Sequence, residues 1–334
     1  MKSIQTVPLP RIDLRDETFS VNFRPDLKPL RASLQAVGLL QPVLLVEAEG
    51  RYRVVCGFRR LWVWRELGRE EVLARMVDPS QRDDLELFFL SLQENLTTRG
   101  FNTVEKAIAL WKLVHHFKVE PSEVIRIHLP LLSLEPNEKI LKTYLSLAEM
   151  EEETQGFVLE EEVSRSNIRL LSQMRPEDRK GLLSLLVRLK LGENRLRELL
   201  TLFMEISRRE GVEIGQILGR PEIEAVRCDQ ELTPHQRTER LKKVLWGLRY
   251  PRLKALEEAF EARRKGLRLP DGVSLRPSPY FEAKGLRMEL RFESLGEFRR
   301  ILSALTELAE NDAFGELMTF CEDVPLSDRT NLSR

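Results

Sequence analysis

A strand pattern that runs directly into a helix pattern through one glycine most constrains the fold of this chain. A strand pattern covers residues 51–56, where Tyr52, Val54 and Cys56 alternate with Arg51, Arg53 and Val55. Gly57 follows, and residues 61–67 then place apolar side chains at helical spacing until Gly68. Residues 72–77 form a second strand-like run. This order predicts an N-terminal domain of mixed strands and helices.

Two arginines occupy the first turn of the predicted helix. Arg59 and Arg60 lie just after Gly57, where the partial positive charge of a helix N-terminus makes each cation cost about 0.3–1 kcal/mol. Backbone N–H groups at a glycine-led helix start, together with two guanidinium groups, suit a phosphate. The pattern therefore favours an anion site, and the alternative is a pair of solvated surface arginines.

A second segment lies upstream of this turn. Apolar residues keep helical spacing up to residue 37, Gly38 ends that helix, and Gln41 and Pro42 precede a strand-like run over residues 43–46. The segment thus predicts a helix, a short turn and a buried strand.

The third segment ends another predicted helix with an acid and an amide. Glu94 and Asn95 supply hard oxygen ligands, which suit Mg²⁺ carried by a nucleotide phosphate. Asn102 and Glu105 then form a capping-box pattern that predicts the start of a further helix. The alternative for Glu94 and Asn95 is an ordinary polar helix terminus.

These three segments, in this order and spacing, resemble the N-terminal domain of the ParB family of chromosome- and plasmid-partition proteins. The resemblance covers roughly the first 120 residues and rests on three stretches: Gly38-Leu39-Leu40-Gln41-Pro42, Gly57-Phe58-Arg59-Arg60, and residues 94–107. It implies a ParB/sulfiredoxin-like α+β fold that binds CTP with Mg²⁺. The residues implied are Gly57, Arg59 and Arg60 on the triphosphate, Glu94 and Asn95 at the magnesium, and Gly38, Gln41 and Pro42 at the border of the pocket.

The chain departs from the family pattern at several positions. Phe58 stands where the second motif has glutamate, and Thr98 stands where the third has arginine, with Arg99 one residue later. The family's N-terminal Asn-Pro-x-Gln-Pro-Arg stretch is replaced by residues 12–16 and 22–26. The resemblance therefore leaves weak CTP hydrolysis open, because hydrolysis in the family depends on that neighbourhood.

Length and composition predict a cytoplasmic protein of two or three domains. The chain has 334 residues, of which 42% are hydrophobic and 32% charged, and no apolar run approaches the roughly 18 residues that span a bilayer. Three cysteines lie far apart, without disulfide or metal spacing. The predicted domains are residues 1–101, an all-α middle domain over 102–220, and residues 221–334 with a basic linker and a small ββα dimerisation domain.

The helical middle region is where the family carries a helix-turn-helix that reads DNA. Residues 122–150 occupy that place, with the second helix beginning near residue 136. Asn137 and Lys139 are its candidate base-reading side chains, but Glu135 and Glu138 beside them would repel phosphates. The alternative is a helical packing module that keeps the family's shape without its DNA code.

A basic stretch precedes the C-terminal region. Residues 240–254 contain six basic residues and no acidic one, which suits sequence-independent DNA binding even though the net charge of the chain is zero. Lys242, Lys243 and Arg249 are its candidate contacts. The alternative is a solvated helix face followed by a turn at Pro251.

The last region combines two strand-like runs with an amphipathic helix. Residues 273–281 and 285–292 predict a hairpin, and residues 298–308 predict a helix. A two-stranded hairpin is marginal alone, so its apolar face needs a partner. A second copy of the chain would cover it, as in partition-family C-terminal domains, and packing within the chain is the alternative.

The sequence therefore predicts a homodimeric, DNA-associated clamp or switch that CTP–Mg²⁺ biases between open and closed forms. The resemblance also implies a partition ATPase as a partner. Two other classes stay open: an enzyme of the same superfamily, such as a phosphotransferase or nuclease, and an adaptor that has lost nucleotide binding.

Overall fold

The computed structural model describes residues 4–323 and divides the chain into two compact units, residues 1–201 and 202–334. The first unit contains a mixed five-stranded sheet and most of the helices, and the second is helical apart from one hairpin. The expected N-terminal α+β region and mostly helical remainder are thus confirmed. The division into three domains stays a prediction.

The sheet of the first unit has the order β1-β5-β3-β4-β2. The β1–β5 and β3–β4 pairs are antiparallel, and the β3–β5 and β2–β4 pairs are parallel. Its strands and the helices between them are β1 Ile4–Pro8, β2 Ile12–Asp13, α1 Lys28–Val37, β3 Val43–Ala48, β4 Arg51–Cys56, α2 Phe58–Glu66, β5 Glu71–Val77 and α3 Asp84–Thr98.

The sheet is the core of this region because its central strands bury aliphatic side chains completely. Val43, Leu45, Val54 and Ala74 have no exposed surface, and α3 packs across β4. Ordered strands of this kind fix the ends of β4 and α3, where two of the three sequence motifs lie. The strand, glycine and helix predicted around Gly57 are confirmed.

The rest of the first unit is helical. Its helices are α4 Thr103–Trp111, α5 Pro121–Glu123, α6 Leu129–Leu131, α7 Glu138–Ala148, α8 Glu152–Glu160, α9 Arg165–Ser172, α10 Pro176–Leu189 and α11 Glu193–Glu210, which crosses the boundary between the units. Two π-helical turns, Lys112–His116 and Val124–His128, interrupt the series. The capping box predicted at the start of α4 is present, with both reciprocal hydrogen bonds made.

The second unit contains four more helices before its hairpin and two after it. Its elements are α12 Ile214–Leu218, α13 Pro221–Cys228, α14 Pro234–Arg249, α15 Pro251–Gly266, β6 Val273–Pro277, β7 Leu286–Leu290, α16 Leu295–Ala309 and α17 Asp312–Asp323. None of the helices within residues 4–323 combines the length and apolar character needed to cross a membrane.

The hairpin is shorter than predicted. The first run ends as a strand at Pro277 because Pro279–Phe281 forms a 3₁₀ turn. Tyr280 and Phe281 both adopt left-handed backbone angles, and this turn buries Phe281 against Phe260. A β-strand pattern does not register such a turn, so the alternation was extended four residues too far.

A buried histidine makes the stability of the first unit pH-dependent. His128 stacks on Phe89 at 4.8 Å, and neither ring nitrogen has a hydrogen-bond partner among the described residues. Burial lowers the pKa of His128 below its usual value of 6.5, against a smaller opposing effect of Glu123. The unfolded chain therefore takes up a proton before the folded chain does, so stability is lost as the pH falls below 6.5.

We expect His128→Phe, which keeps a stacked ring, to reduce this loss of stability at low pH. The native free energy of unfolding should fall between pH 6.5 and 5 with an extra slope of up to about 1.4 kcal/mol per pH unit relative to the variant. Urea unfolding at several pH values measures this slope. His116→Gln, an exposed histidine on a neighbouring turn, is the control, and equal slopes in the native chain and His128→Phe would contradict the assignment.

Candidate functional site

Gly57 makes the sharp turn from β4 into α2. Its φ of +101° lies in the left-handed region, and a Cβ at this position would lie 2.8 Å from Val43 Cγ1. Only glycine fits both constraints without a shift of the buried β3. The turn places Arg59 and Arg60 in the first turn of α2, as the sequence predicts.

Arg60 brings the three sequence motifs together. Its Nη2 donates to Glu94 Oε1 at 2.7 Å, and its Nη1 donates to the carbonyl oxygens of Gln41 at 3.0 Å and Pro42 at 3.3 Å. Residues from α2, α3 and the turn before β3 therefore meet at one guanidinium. Gly38 does not join them: it ends α1 with φ of +73° and lies outside the cavities described below.

Arg59 points to a different set of partners. Its Nε donates to Asn22 Oδ1 at 2.7 Å, and its Nη2 donates to Glu105 Oε1 at 2.5 Å. Arg99 Nη1 donates to the other oxygen, Glu105 Oε2, at 2.7 Å. Burial, and next the charge of Arg99, lower the pKa of Arg59. Two guanidinium groups are thus held close together by one carboxylate.

Asn95 lies between α3 and this arginine pair. Its Nδ2 donates to Ser91 O at 2.8 Å, and its Oδ1 accepts from Arg99 Nε at 2.9 Å. No group of three or more His, Cys, Asp or Glu side chains among the described residues could hold a metal alone. Glu94 and Asn95 could supply two oxygen ligands, so Mg²⁺ would need the remaining ligands from phosphates and water.

Two adjoining cavities surround these side chains. One of about 240 Å³ is lined by residues including Asn22, Gly57, Arg59 and Asn95. The other, of about 370 Å³, is lined by residues including Pro42, Cys56 and Arg75. The residues common to both linings are Gln41, Arg60, Glu94 and Thr98. The Arg60–Glu94 ion pair therefore lies where the two cavities meet.

Cys56 and Phe58 do not supply a nucleophile or a general base at this site. Burial raises the pKa of the Cys56 thiol to about 12, so the thiol stays protonated at neutral pH. Phe58, at the position of the family's motif glutamate, is buried and lies 6.3 Å from Trp62 between ring centroids. The arrangement is suited to binding an anion.

The helical region also holds the loop that completes the cavity. Residues 16–24, called here the pocket loop, contain no helix or strand. Lys112 Nζ donates to the carbonyl oxygens of Ser20 at 2.6 Å and Thr18 at 3.2 Å, and also to Glu17 O. Arg24 pairs with Glu152 and Glu160 of α8, both at 3.3 Å.

Sequence analysis missed three members of this site. Asn22 lies in the irregular pocket loop, where no periodicity marks it. The motif comparison marks Arg99 only as displaced by one residue, and the capping pattern marks Glu105 only as a helix cap. The side chain of Glu105 is 1% exposed and paired with two arginines, a burial that the capping pattern alone does not reveal.

The predicted DNA-contacting residues are distributed over both units. Asn137 is the N-cap of α7, and its Oδ1 accepts from the backbone N–H of Lys139 at 2.8 Å, so its amide is committed to the helix start. Lys242, Lys243 and Arg249 lie on α14. Arg249 Nε donates to Glu205 at 2.7 Å, and its guanidinium stacks on Tyr250.

The sheet, the glycine turn and the motif contacts define the first part of the chain as an α+β domain with an arginine-lined cleft. Residues 1–96 match the family model of the ParB N-terminal domain. This match confirms, over these residues, the resemblance expected from the motifs.

Relatives of this chain include two curated partition proteins. The chromosome-partitioning protein ParB of Myxococcus xanthus is 35% identical over 98 residues, which are 29% of this chain and 32% of the relative. A probable chromosome-partitioning protein ParB of Helicobacter pylori is 25% identical over 173 residues, 52% of this chain and 57% of the relative. The chain thus spans between about a third and three-fifths of these relatives' length.

One solved structure aligns with more of the chain. It is the C-terminally truncated ParB from Caulobacter crescentus complexed with CTP-γ-S, which covers 56% of this chain and 99% of its own length, at 19% identity and a TM-score of 0.27. A TM-score this low does not establish a common fold.

Proposed function

We propose that this protein binds CTP with Mg²⁺ in the arginine-lined cleft and acts as a DNA-associated homodimeric switch in chromosome or plasmid partition. The observation that carries the proposal is the meeting of Arg59, Arg60 and Arg99 around a cavity that begins at the Gly57 turn. Arg59 and Arg60 lie in the first turn of α2, where cations are costly unless an anion binds, and Arg99 adds a third guanidinium from the C-cap of α3.

The shape of the cleft suits a ligand longer than one phosphate. The cavities of about 240 and 370 Å³ that meet at the Arg60–Glu94 pair are together as large as pockets that bind small ligands. A polyphosphate that takes over Arg60 would release Glu94, which is then available to a magnesium ion carried by the phosphates.

The family resemblance supplies the identity of the nucleotide, the DNA partner, the homodimer and a partition ATPase as a further partner. The small C-terminal ββα region is the proposed self-association element. Of the rivals, an enzyme would need a base facing the terminal phosphate, and the protonated Cys56 thiol does not provide one. In an adaptor without nucleotide binding, the cluster of arginines would have no anionic ligand.

A thermal-shift panel of CTP, ATP, GTP and UTP, each with Mg²⁺, tests the proposal. A ligand at a hundred times its Kd stabilises the folded state by about 2.7 kcal/mol, so CTP should raise the Tm by several degrees and more than the other three. No shift with any nucleotide would favour the adaptor, and equal shifts would overturn the choice of CTP.

Substitutions of Glu94 and Asn95 should separate the contribution of Mg²⁺ to CTP affinity from that of the phosphates. We expect Glu94→Gln and Asn95→Ser to lose most of the magnesium-dependent part of CTP affinity while the fold is kept. Glu94→Gln should retain binding in EDTA, because the substitution frees Arg60 from its ion pair. Calorimetry in Mg²⁺ and in EDTA makes the comparison, and equal native affinities in the two buffers would refute the metal role.

Neutralising the basic residues of α14 should weaken DNA binding without changing its sequence preference. The triple change Lys242→Gln, Lys243→Gln and Arg249→Gln should reduce the slope of log affinity against log salt by about 2–3. Arg249→Gln alone should reduce this slope only slightly, because Arg249 is paired with Glu205. Fluorescence anisotropy with two unrelated duplexes measures this, and a loss confined to one duplex would indicate base reading instead.

A further inference from the structure

We infer that Glu105 is a positioning residue that holds Arg59 and Arg99 together as one phosphate-binding unit and transmits occupancy of the cleft to the start of α4. This inference rests on the proposed nucleotide function and goes beyond it, because it assigns the coupling to one carboxylate of the helical region. The three side chains come from α2, the end of α3 and α4.

Burial and charge show why this carboxylate matters. The Glu105 side chain is 1% exposed, and those of Arg59 and Arg99 are 24% and 23% exposed. A carboxylate this buried is stable only when paired, and two adjacent guanidinium groups repel each other unless an anion lies between them. Each of its oxygens accepts from a different arginine, so the pair is held by one group.

Both arginines keep donors for a ligand while they hold Glu105. Arg59 uses its Nε on Asn22 and its Nη2 on Glu105. Arg99 uses its Nε on Asn95 and its Nη1 on both Glu105 and the carbonyl oxygen of Gly100, while its Nη2 makes only a long contact of 3.4 Å to Asn22. Since a guanidinium has five N–H donors, a phosphate can bind without breaking the Glu105 ion pairs.

The same carboxylate belongs to the helix cap. Glu105 Oε2 accepts from the backbone N–H of Asn102 at 3.2 Å, while Glu105 N donates to Asn102 Oδ1 at 2.8 Å. A phosphate that orders Arg59 and Arg99 thereby orders Glu105, and Glu105 orders the first turn of α4. Because α4 packs on α7 and α8, the effect reaches the helical region.

The one-residue displacement of the motif arginine fits this role. Thr98 hydroxyl donates to Glu94 O at 2.8 Å and so stays on the helix backbone. Arg99 follows the last residue of α3 and adopts non-helical angles as the C-cap, from which its side chain reaches Glu105. The displaced arginine is thus available to a carboxylate six residues further along the chain.

Glu105→Gln is the principal test, because glutamine can still complete a capping box but cannot pair with two guanidinium groups. We expect about tenfold weaker binding of CTP and of inorganic tripolyphosphate by calorimetry. Hydrogen–deuterium exchange should show that CTP protects amides 103–106 in the native protein and not in the variant. The matched control is Glu86→Gln, since Glu86 holds the same position in the capping box of α3 and is exposed.

Two further variants separate coupling from a general structural effect. Arg99→Ala leaves the capping box intact and should also abolish the protection of amides 103–106, which keeps the test decisive if Glu105→Gln fails to fold. In the double variant, Arg99→Ala should weaken binding less than it does in the native background, because both changes remove the same unit.

Each outcome bears on the inference separately from the proposed function. Three results would overturn the positioning role and leave the proposed function standing, provided that the native protein binds CTP. These are unchanged or tighter CTP binding by Glu105→Gln, protection of amides 103–106 by CTP in Glu105→Gln or Arg99→Ala, and additive effects in the double variant. A native protein that binds neither CTP nor tripolyphosphate would overturn both.

Discussion

Arg59→Ala and Arg60→Ala should each weaken CTP binding ten- to a hundredfold. Each substitution removes charge-assisted hydrogen bonds to phosphate, worth about 1.5–3 kcal/mol. Arg60→Ala has a second expected effect: it frees Glu94, its partner at 2.7 Å, and so adds a negative charge beside the phosphates. We therefore expect the Arg60 variant to depend more strongly on Mg²⁺ than the Arg59 variant.

Calorimetry with CTP in Mg²⁺ and in EDTA measures both effects. Arg65→Ala is the matched control, because Arg65 lies near the other end of α2, is exposed and does not line the cleft. Unchanged CTP affinity in both variants would refute the phosphate assignment.

The second large effect concerns self-association. Leu295 is 64% and Leu302 is 44% exposed on α16, and Phe292 beside them is 46% exposed. If a second copy covers this surface, the symmetric contact buries each side chain twice. At about 1.5–3 kcal/mol per buried side chain, Leu295→Glu with Leu302→Glu should raise the dimer Kd at least about a hundredfold.

Light scattering over a range of protein concentrations, without nucleotide, tests this. Val187→Glu is the control, since Val187 is a 54% exposed apolar residue on a helix of the first unit. A double variant that stays dimeric would place the interface elsewhere in the chain.

The structure narrows the surface that the sequence predicted for this contact. The sequence predicts that the apolar face of the hairpin over residues 273–292 needs a partner, but Leu275 and, on the following helix, Ile301 are buried within one copy. Leu286 and Met288 pack against a core that includes Leu253, Phe260 and Leu317. The intramolecular alternative thus accounts for the hairpin face, and the proposed interface is the exposed part of α16.

Local structure was predictable from the sequence where it depends on residues close together along the chain. The left-handed turn at Gly57 and the capping box of Asn102 and Glu105 follow from residue type and spacing, and both are present. The meeting of Arg59 with Glu105 joins residues 46 apart, and nothing in the pattern of either segment encodes that distance. Such contacts depend on how the helical region packs, which periodicity does not determine.

Sequence patterns also fail to predict contacts made by irregular segments of the chain. Asn22 contributes to the cleft from a loop without helix or strand, so no alternation could have marked it. The 3₁₀ turn at Pro279–Phe281 depends on the burial of one aromatic ring, a tertiary effect that overrides local strand propensity.

The contacts between the helical region and the pocket loop determine which fragments of this protein keep the loop in place. A fragment ending at residue 101 would contain every glycine and arginine of the first two motifs, together with Glu94 and Asn95. It would lack the Lys112 ammonium that holds three carbonyl groups of the loop and the α8 carboxylates that hold Arg24. A fragment that keeps all of these contacts extends through residue 160, well beyond the last of the three sequence motifs.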